Sequence, residues 1–201
     1  DGVKAVQLRV RDLRRAGERE QLERLRSRAD LCQELEAHIE TGMQEGADAE
    51  SWRGRWSALD ALQDEAAAHG IEHRFQASLA ALDGGVALQR WHDSLESNLG
   101  QRARLCLHLE VLAGIDSPEE AAQQRLAFQV NRLSERLGHG QDDPLDEAPQ
   151  VERAWYLCGA VPAADLQRLE PRFTHALQVL RSSSESAAQQ VEPGGVEQGS
   201  A

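Results

Sequence analysis

Apolar side chains recur along the chain at spacings of three and four, and no segment alternates with the period of a strand. Val3, Val6, Val10 and Leu13 form the first stripe, which restarts after Gly17 as Leu22, Leu25, Ala29, Cys32, Leu35 and Ile39. Such a stripe predicts an amphipathic helix that stops near Thr41-Gly42, where glycine accepts the left-handed cap conformation. Residues 42–48 read as a loop. Trp52, Trp56, Leu59, Leu62 and Ala66 predict a second helix ending at His69-Gly70, and Phe75, Leu79 and Leu82 a third, closed by Asp83-Gly84-Gly85. Leu88, Trp91, Leu95, Leu99, Leu105, Leu109 and Leu112 predict a long helix to Ala113, weakest at Gly100.

Ser117-Pro118-Glu119-Glu120 reads as a helix start, with serine as cap, proline in the first turn and a capping-box glutamate. Leu126, Val130, Leu133 and Leu137 stripe that helix, which stops at Gly138-His139-Gly140. Residues 141–149 read as a loop, Val151–Cys158 as a short helix, and Leu166, Leu169, Phe173, Leu177 and Leu180 as the last helix. From Ser182 to Ala201 little is left to bury, which predicts a disordered tail.

Two short matches organise these helices. Leu31-Cys32-Gln33-Glu34-Leu35-Glu36 returns as Leu105-Cys106-Leu107-His108-Leu109-Glu110. Arg74-Phe75, with Leu79 and Leu82 behind it, returns as Arg172-Phe173, with Leu177 and Leu180 behind it. The common order implies a duplication with an insertion around 117–149 in the second copy. The expected fold is therefore all-α: tandem antiparallel helical repeat units joined by a long helix, with a disordered C-terminal tail. The divisions are a basic connecting helix over 1–28, unit 1 over 29–85, unit 2 over 86–181 and the tail over 182–201. Carried back to the N-terminus, the same offset makes Val3–Val6 the end of an earlier unit's last helix, so the chain is expected to start inside a longer array.

Unit 2 also carries Trp155-Tyr156-Leu157-Cys158-Gly159-Ala160-Val161-Pro162 ahead of Arg172-Phe173. A tryptophan, a glycine four later, then x-Val-Pro and a helix with Arg-Phe resembles the repeat of a bacterial family, domain of unknown function 349. Residues 105–137 are similar to the C-terminal region of its proteobacterial members. The resemblance covers about residues 29–180 and implies a helical repeat protein, with Trp155, Gly159, Pro162, Arg172, Phe173, Arg74 and Phe75 as structural anchors. Unit 1 departs from the pattern: Ala66 stands where Trp155 does, and no Val-Pro follows Gly70. The family has no agreed activity to carry over.

Composition changes the picture in two places. The net charge is −12, from 34 acidic and 22 basic residues, which excludes a generally basic nucleic-acid coat. Residues 1–30 are the exception at +3, and Arg11, Arg14 and Arg15 are the candidate partner-binding residues there. All basic residues but Lys4 are arginines interleaved with acids, the pattern of a solvated helix face in a chain from a GC-rich genome. Cys32, Cys106 and Cys158 are odd in number and far apart, which points to a reducing cytoplasm. No apolar run reaches the roughly 20 residues of a membrane span.

Chemistry is sparse. His69 and His73 are four apart, but the stop read at Gly70 separates them; Glu34 and His38 share a face without a second pair to complete a metal site. The cysteines fall on or beside apolar stripes, as small hydrophobes do. No phosphate loop or nucleophile elbow is present. The expectation is a bacterial, cytoplasmic scaffold that binds a protein partner, with no catalysis, cofactor or metal. The alternative is an RNA-associated factor that docks through the basic helix.

Overall fold

The computed structural model describes residues 2–42, 48–138 and 144–189. Seven α-helices account for most of them, and no strand occurs among the described residues: α1 (Gly2–Glu40), α2 (Ala49–Ser57), α3 (Glu65–Ala81), α4 (Gly85–Ala113), α5 (Ala122–Gly138), α6 (Pro144–Leu157) and α7 (Ala163–Gln189). The all-α expectation holds. Gly17 does not interrupt α1, and Gly100 does not interrupt α4, which ends where Gly114 takes φ 68°.

Three boundaries differ from the sequence reading. The break after Trp56 comes at residues 58–64, not at Gly70, because Asp48 and Asp64 cap α2 and α3 by accepting from Ser51 N and Ala67 N. Gly70 lies inside α3, where a Cβ would meet Leu157 Cδ2 at 3.1 Å, so it serves close helix packing rather than a stop. The loop read over 141–149 is helical from Pro144, which opens α6; Pro149 sits inside it and removes one backbone donor. The helix α7 passes Ser182 and reaches Gln189, which shortens the expected tail; residues 190–201 lie outside the described residues.

One core joins the helices, built from Leu25, Cys32, Leu35, Ile71, Phe75, Cys106, Leu109, Trp155, Phe173 and Ala176 among others. The helix α6 packs against α1, α3, α4 and α7, and α3 lies between α1 and α4. Burial along α1 begins at Leu22; before it, Val6, Val10 and Leu13 are 63%, 59% and 67% exposed. The apolar stripe Val6–Val10–Leu13 of the basic N-terminal half of α1 is therefore not covered by the acidic body.

Candidate protein-interaction surfaces

Much of the sequence's chemistry goes into holding the body together. In α1, Arg28 lies over the Trp56 ring at 4.5 Å and donates to the Leu59 and Asp60 carbonyls of the 58–64 loop. Trp56 stacks on Phe75, with centroids 4.2 Å apart and planes 8° from parallel. Beside them, buried Glu36 accepts from Arg74 Nε and Nη2 at 2.8 and 2.7 Å, and Arg74 Nη1 donates to the Tyr156 carbonyl at 2.7 Å. Burial opposes the Arg74 charge, and the Glu36 carboxylate more than restores it, raising its pKa. Removing either partner would strand a buried charge, at a cost of about 3–5 kcal/mol.

The same arrangement occurs in α4, α6 and α7. Arg102 lies over Trp155 at 4.8 Å and donates to the Cys158 carbonyl, Trp155 stacks on Phe173 at 4.0 Å, and Arg172 pairs with Glu110 at 2.8 and 3.0 Å. Trp56, not Ala66, makes with Arg28 and Phe75 the stack that Trp155 makes with Arg102 and Phe173. Sequence comparison missed it because Trp56 precedes Arg74 by one residue more than Trp155 precedes Arg172. Glu36 and Glu110 stood in the matched hexapeptides, and the arginines four residues before Cys32 and Cys106 were a further unused signal.

The two arrangements are not identical: Arg74 is buried whereas Arg172 is 30% exposed, and Arg102 differs from Arg28. Arg102 is fully buried with no carboxylate hydrogen-bonded to it, and its Nε and Nη1 meet no protein acceptor. Burial, with the Arg74 cation next, lowers its pKa. Gly159 approaches Asn98 so closely that a Cβ would lie 2.6 Å from Nδ2, while the Pro162 carbonyl accepts from Asp165 and Leu166 in the first turn of α7.

The three thiols are buried, and burial pushes Cys32 and Cys106 up to about 12 and raises Cys158. The continuous α3 puts His69 and His73 one helical turn apart after all, both exposed, but Glu72 between them accepts from Trp56 Nε1 and Gln76. No group of three or more potential metal ligands occurs among the described residues. Ser117 does not act as a cap: its hydroxyl donates to Glu110 and accepts from Arg125, tying α5 to the Glu110–Arg172 pair. A cleft of about 490 Å³ opens between α3, α4 and residues 157–160, lined by His73, Arg74, Arg90, Trp91 and Asn98 with no carboxylate.

What remains unused is on the surface. In α1, Val6, Val10 and Leu13 repeat with coiled-coil spacing, Arg9 and Arg14 border that seam, and Arg11 is exposed with Arg15 half-buried. Arg14 reaches Glu18 at 3.6 Å on the same helix and stays 80% exposed. Further along, Arg24 and Arg28 are structural instead and hold the 58–64 loop, while Arg26 pairs with Asp30 on the same helix. A second stripe, Leu126, Val130 and Leu133 of α5, is 63%, 52% and 61% exposed. No helix of the described residues is long and apolar enough to cross a membrane. Comparison of the chain with protein families, with curated proteins and with solved structures returns no match.

Proposed function

We propose that this chain is a non-catalytic, cytoplasmic interaction module, made of two three-helix units in tandem, that presents α1 to an acidic helical partner. The twofold occurrence of the Arg–Trp–Phe stack and the Glu–Arg pair supports a duplicated unit, α1–α2–α3 and α4–α6–α7, with α5 as the insertion. The resemblance to the bacterial family, domain of unknown function 349, belongs to this proposal, as does the role of a scaffold. Buried, protonated thiols are compatible with the cytoplasm and with the absence of nucleophilic chemistry.

The observation that carries the reading is the exposed Val6–Val10–Leu13 seam bordered by arginine. Apolar residues at coiled-coil spacing want a facing helix, and the bordering residues choose which one. In a parallel self-pair, Arg9 would face Arg14 of the other helix, and like charges oppose that pairing. A helix with an apolar seam bordered by Glu or Asp removes the conflict. The exposed Arg11 and Arg14 favour the second reading, contact with RNA phosphates through Arg11, Arg14 and Arg15.

A synthetic three-heptad peptide with a Val/Leu seam and flanking Glu separates the two, tested beside the same peptide with Lys and a single-stranded RNA. The module reading expects the Glu peptide to bind about tenfold or more tighter than the Lys peptide. Val10→Asp should abolish binding, and Arg9→Glu with Arg14→Glu should reverse the preference. Submicromolar RNA binding with a salt slope near −0.7 per contact, lost on replacing Arg11, Arg14 and Arg15 by Gln, would establish the RNA reading instead. Binding of neither class would end both.

A further inference from the structure

The cleft bounded by α3, α4 and residues 157–160 is left open by short side chains. Ala77, Ala80 and Ala87 line it without filling it, and its volume of about 490 Å³ falls in the range of small-molecule sites. Its walls are held from behind: Arg74 is fixed by Glu36 and the Tyr156 carbonyl, and Asn98 donates to the Ala160 carbonyl at 2.9 Å. These bonds set the shape of the cleft within the protein itself, as small-molecule sites usually require. The cleft also carries uncommitted donors. No carboxylate lines it, Arg74 is balanced by Glu36, and Arg90 and His73, both exposed, make no hydrogen bond or ion pair among the described residues. The acids near them in sequence serve other partners: Glu72 accepts from Trp56 and Gln76, and Asp93 from Gln89. Trp91, 6% exposed, forms part of the wall, and its Nε1 finds no acceptor in the protein. An orphaned buried donor of this kind calls for an acceptor from outside the chain.

We propose that this cleft binds a small organic carboxylate with an apolar body, at a site separate from the helix-pairing face of α1. The uncommitted cation, Arg90, offers paired N–H groups whose geometry suits a carboxylate. His73 adds a ring N–H, while Trp91 and Leu157 give the apolar body a surface to cover. A phosphate dianion fits less well, because a single free guanidinium would leave much of its charge unbalanced. A chain of net charge −12 repels anions at long range, so binding rests on these local groups and is modest, with a Kd on the order of 0.1 mM.

Titration of the intact chain with naphthalene-1-acetate, followed by the indole N–H resonances of its four tryptophans, tests the site. The Trp91 resonance, identified by its loss in Trp91→Phe, should shift saturably and further than the other three. Naphthalene-1-acetamide has the same shape without the charge and should bind at least about tenfold more weakly. Arg90→Gln should bring the acid down to the level of the amide and leave the amide where it was. Arg104→Gln, exposed on the same helix but outside the cleft, should change neither. Ala87→Leu, which fills the space, should abolish binding of both with the helix content unchanged. A Trp91 resonance that stays fixed up to about ten times that Kd, or an amide that binds as tightly as the acid, would overturn the proposal. Binding indifferent to both Arg90→Gln and Ala87→Leu would put the ligand elsewhere and overturn it equally.

Discussion

Cys32 and Cys106 each sit four residues before a buried glutamate that pairs with an arginine, and each has an arginine close enough to favour a thiolate. Burial outweighs that attraction and holds both near 12, against an ordinary value of 9.0. A thiol-specific aromatic disulfide at pH 8 should therefore label native protein slowly and release all three cysteines once urea unfolds it. The sign of the pH effect follows from which state ionises first. Unfolded thiols lose protons above about 9 while the folded ones keep them, so stability from these groups is complete below 9 and is lost as pH rises toward 12. Stoichiometric labelling of the native protein within seconds, or stability that rises with pH over that range, would contradict that burial. The sequence placed these cysteines on apolar stripes and so foresaw their packing. The four residues of the glutamate–arginine pairs stood in the two matched segments, but their pairing was not legible, since partners 38 and 62 residues apart carry no local signal.

Helices were legible wherever the apolar stripe was long, as in α4, and were misplaced at Gly70 and Ser117, where a glycine and a serine were read by local rules alone. Gly70 and Ser117 each have an ordinary local meaning, a stop and a cap, that a tertiary contact overrides: Leu157 against one, Glu110 against the other. The contrast between two glycines turns this into a test. Gly100 lies within α4, and a Cβ added there would meet nothing within 4 Å, so Gly100→Ala should stabilise the chain by about 0.5–1 kcal/mol. Gly159→Ala would push its Cβ onto Asn98, whose Nδ2 donates to the Ala160 carbonyl at 2.9 Å. Breaking that bond should cost about 1–3 kcal/mol. Urea midpoints should move in opposite directions; a shift of the same sign for both would show that the α4 contact with residues 159–160 does not hold the helices together.

Across the whole molecule, hydrogen bonds and ion pairs tie the two sets of helices together. Arg74 from α3 donates to the Tyr156 carbonyl of α6, Arg153 of α6 pairs with the Asp64 cap of α3, and Ala163 N at the start of α7 donates to Glu40 of α1. The helix α6 packs on α1 and α3 as well as on α4 and α7. The sequence shows which residues recur but not that α6 packs on α1 and α3 as well as on α4 and α7, because those contacts span 82 to 123 residues. Opening either set would expose the α6 surface that the other needs, so the sets should unfold together. Native-state hydrogen exchange in rising urea checks this at four buried positions, Leu35 and Phe75 in the first set and Leu109 and Phe173 in the second. Their amides should converge on one opening free energy with one urea dependence, as expected when the exchange-competent state exposes the shared core. Convergence to two distinct values, with α4 and α7 still protected after α1 and α3 have opened, would show that the arginine and backbone contacts across the junction add little to the stability of either set.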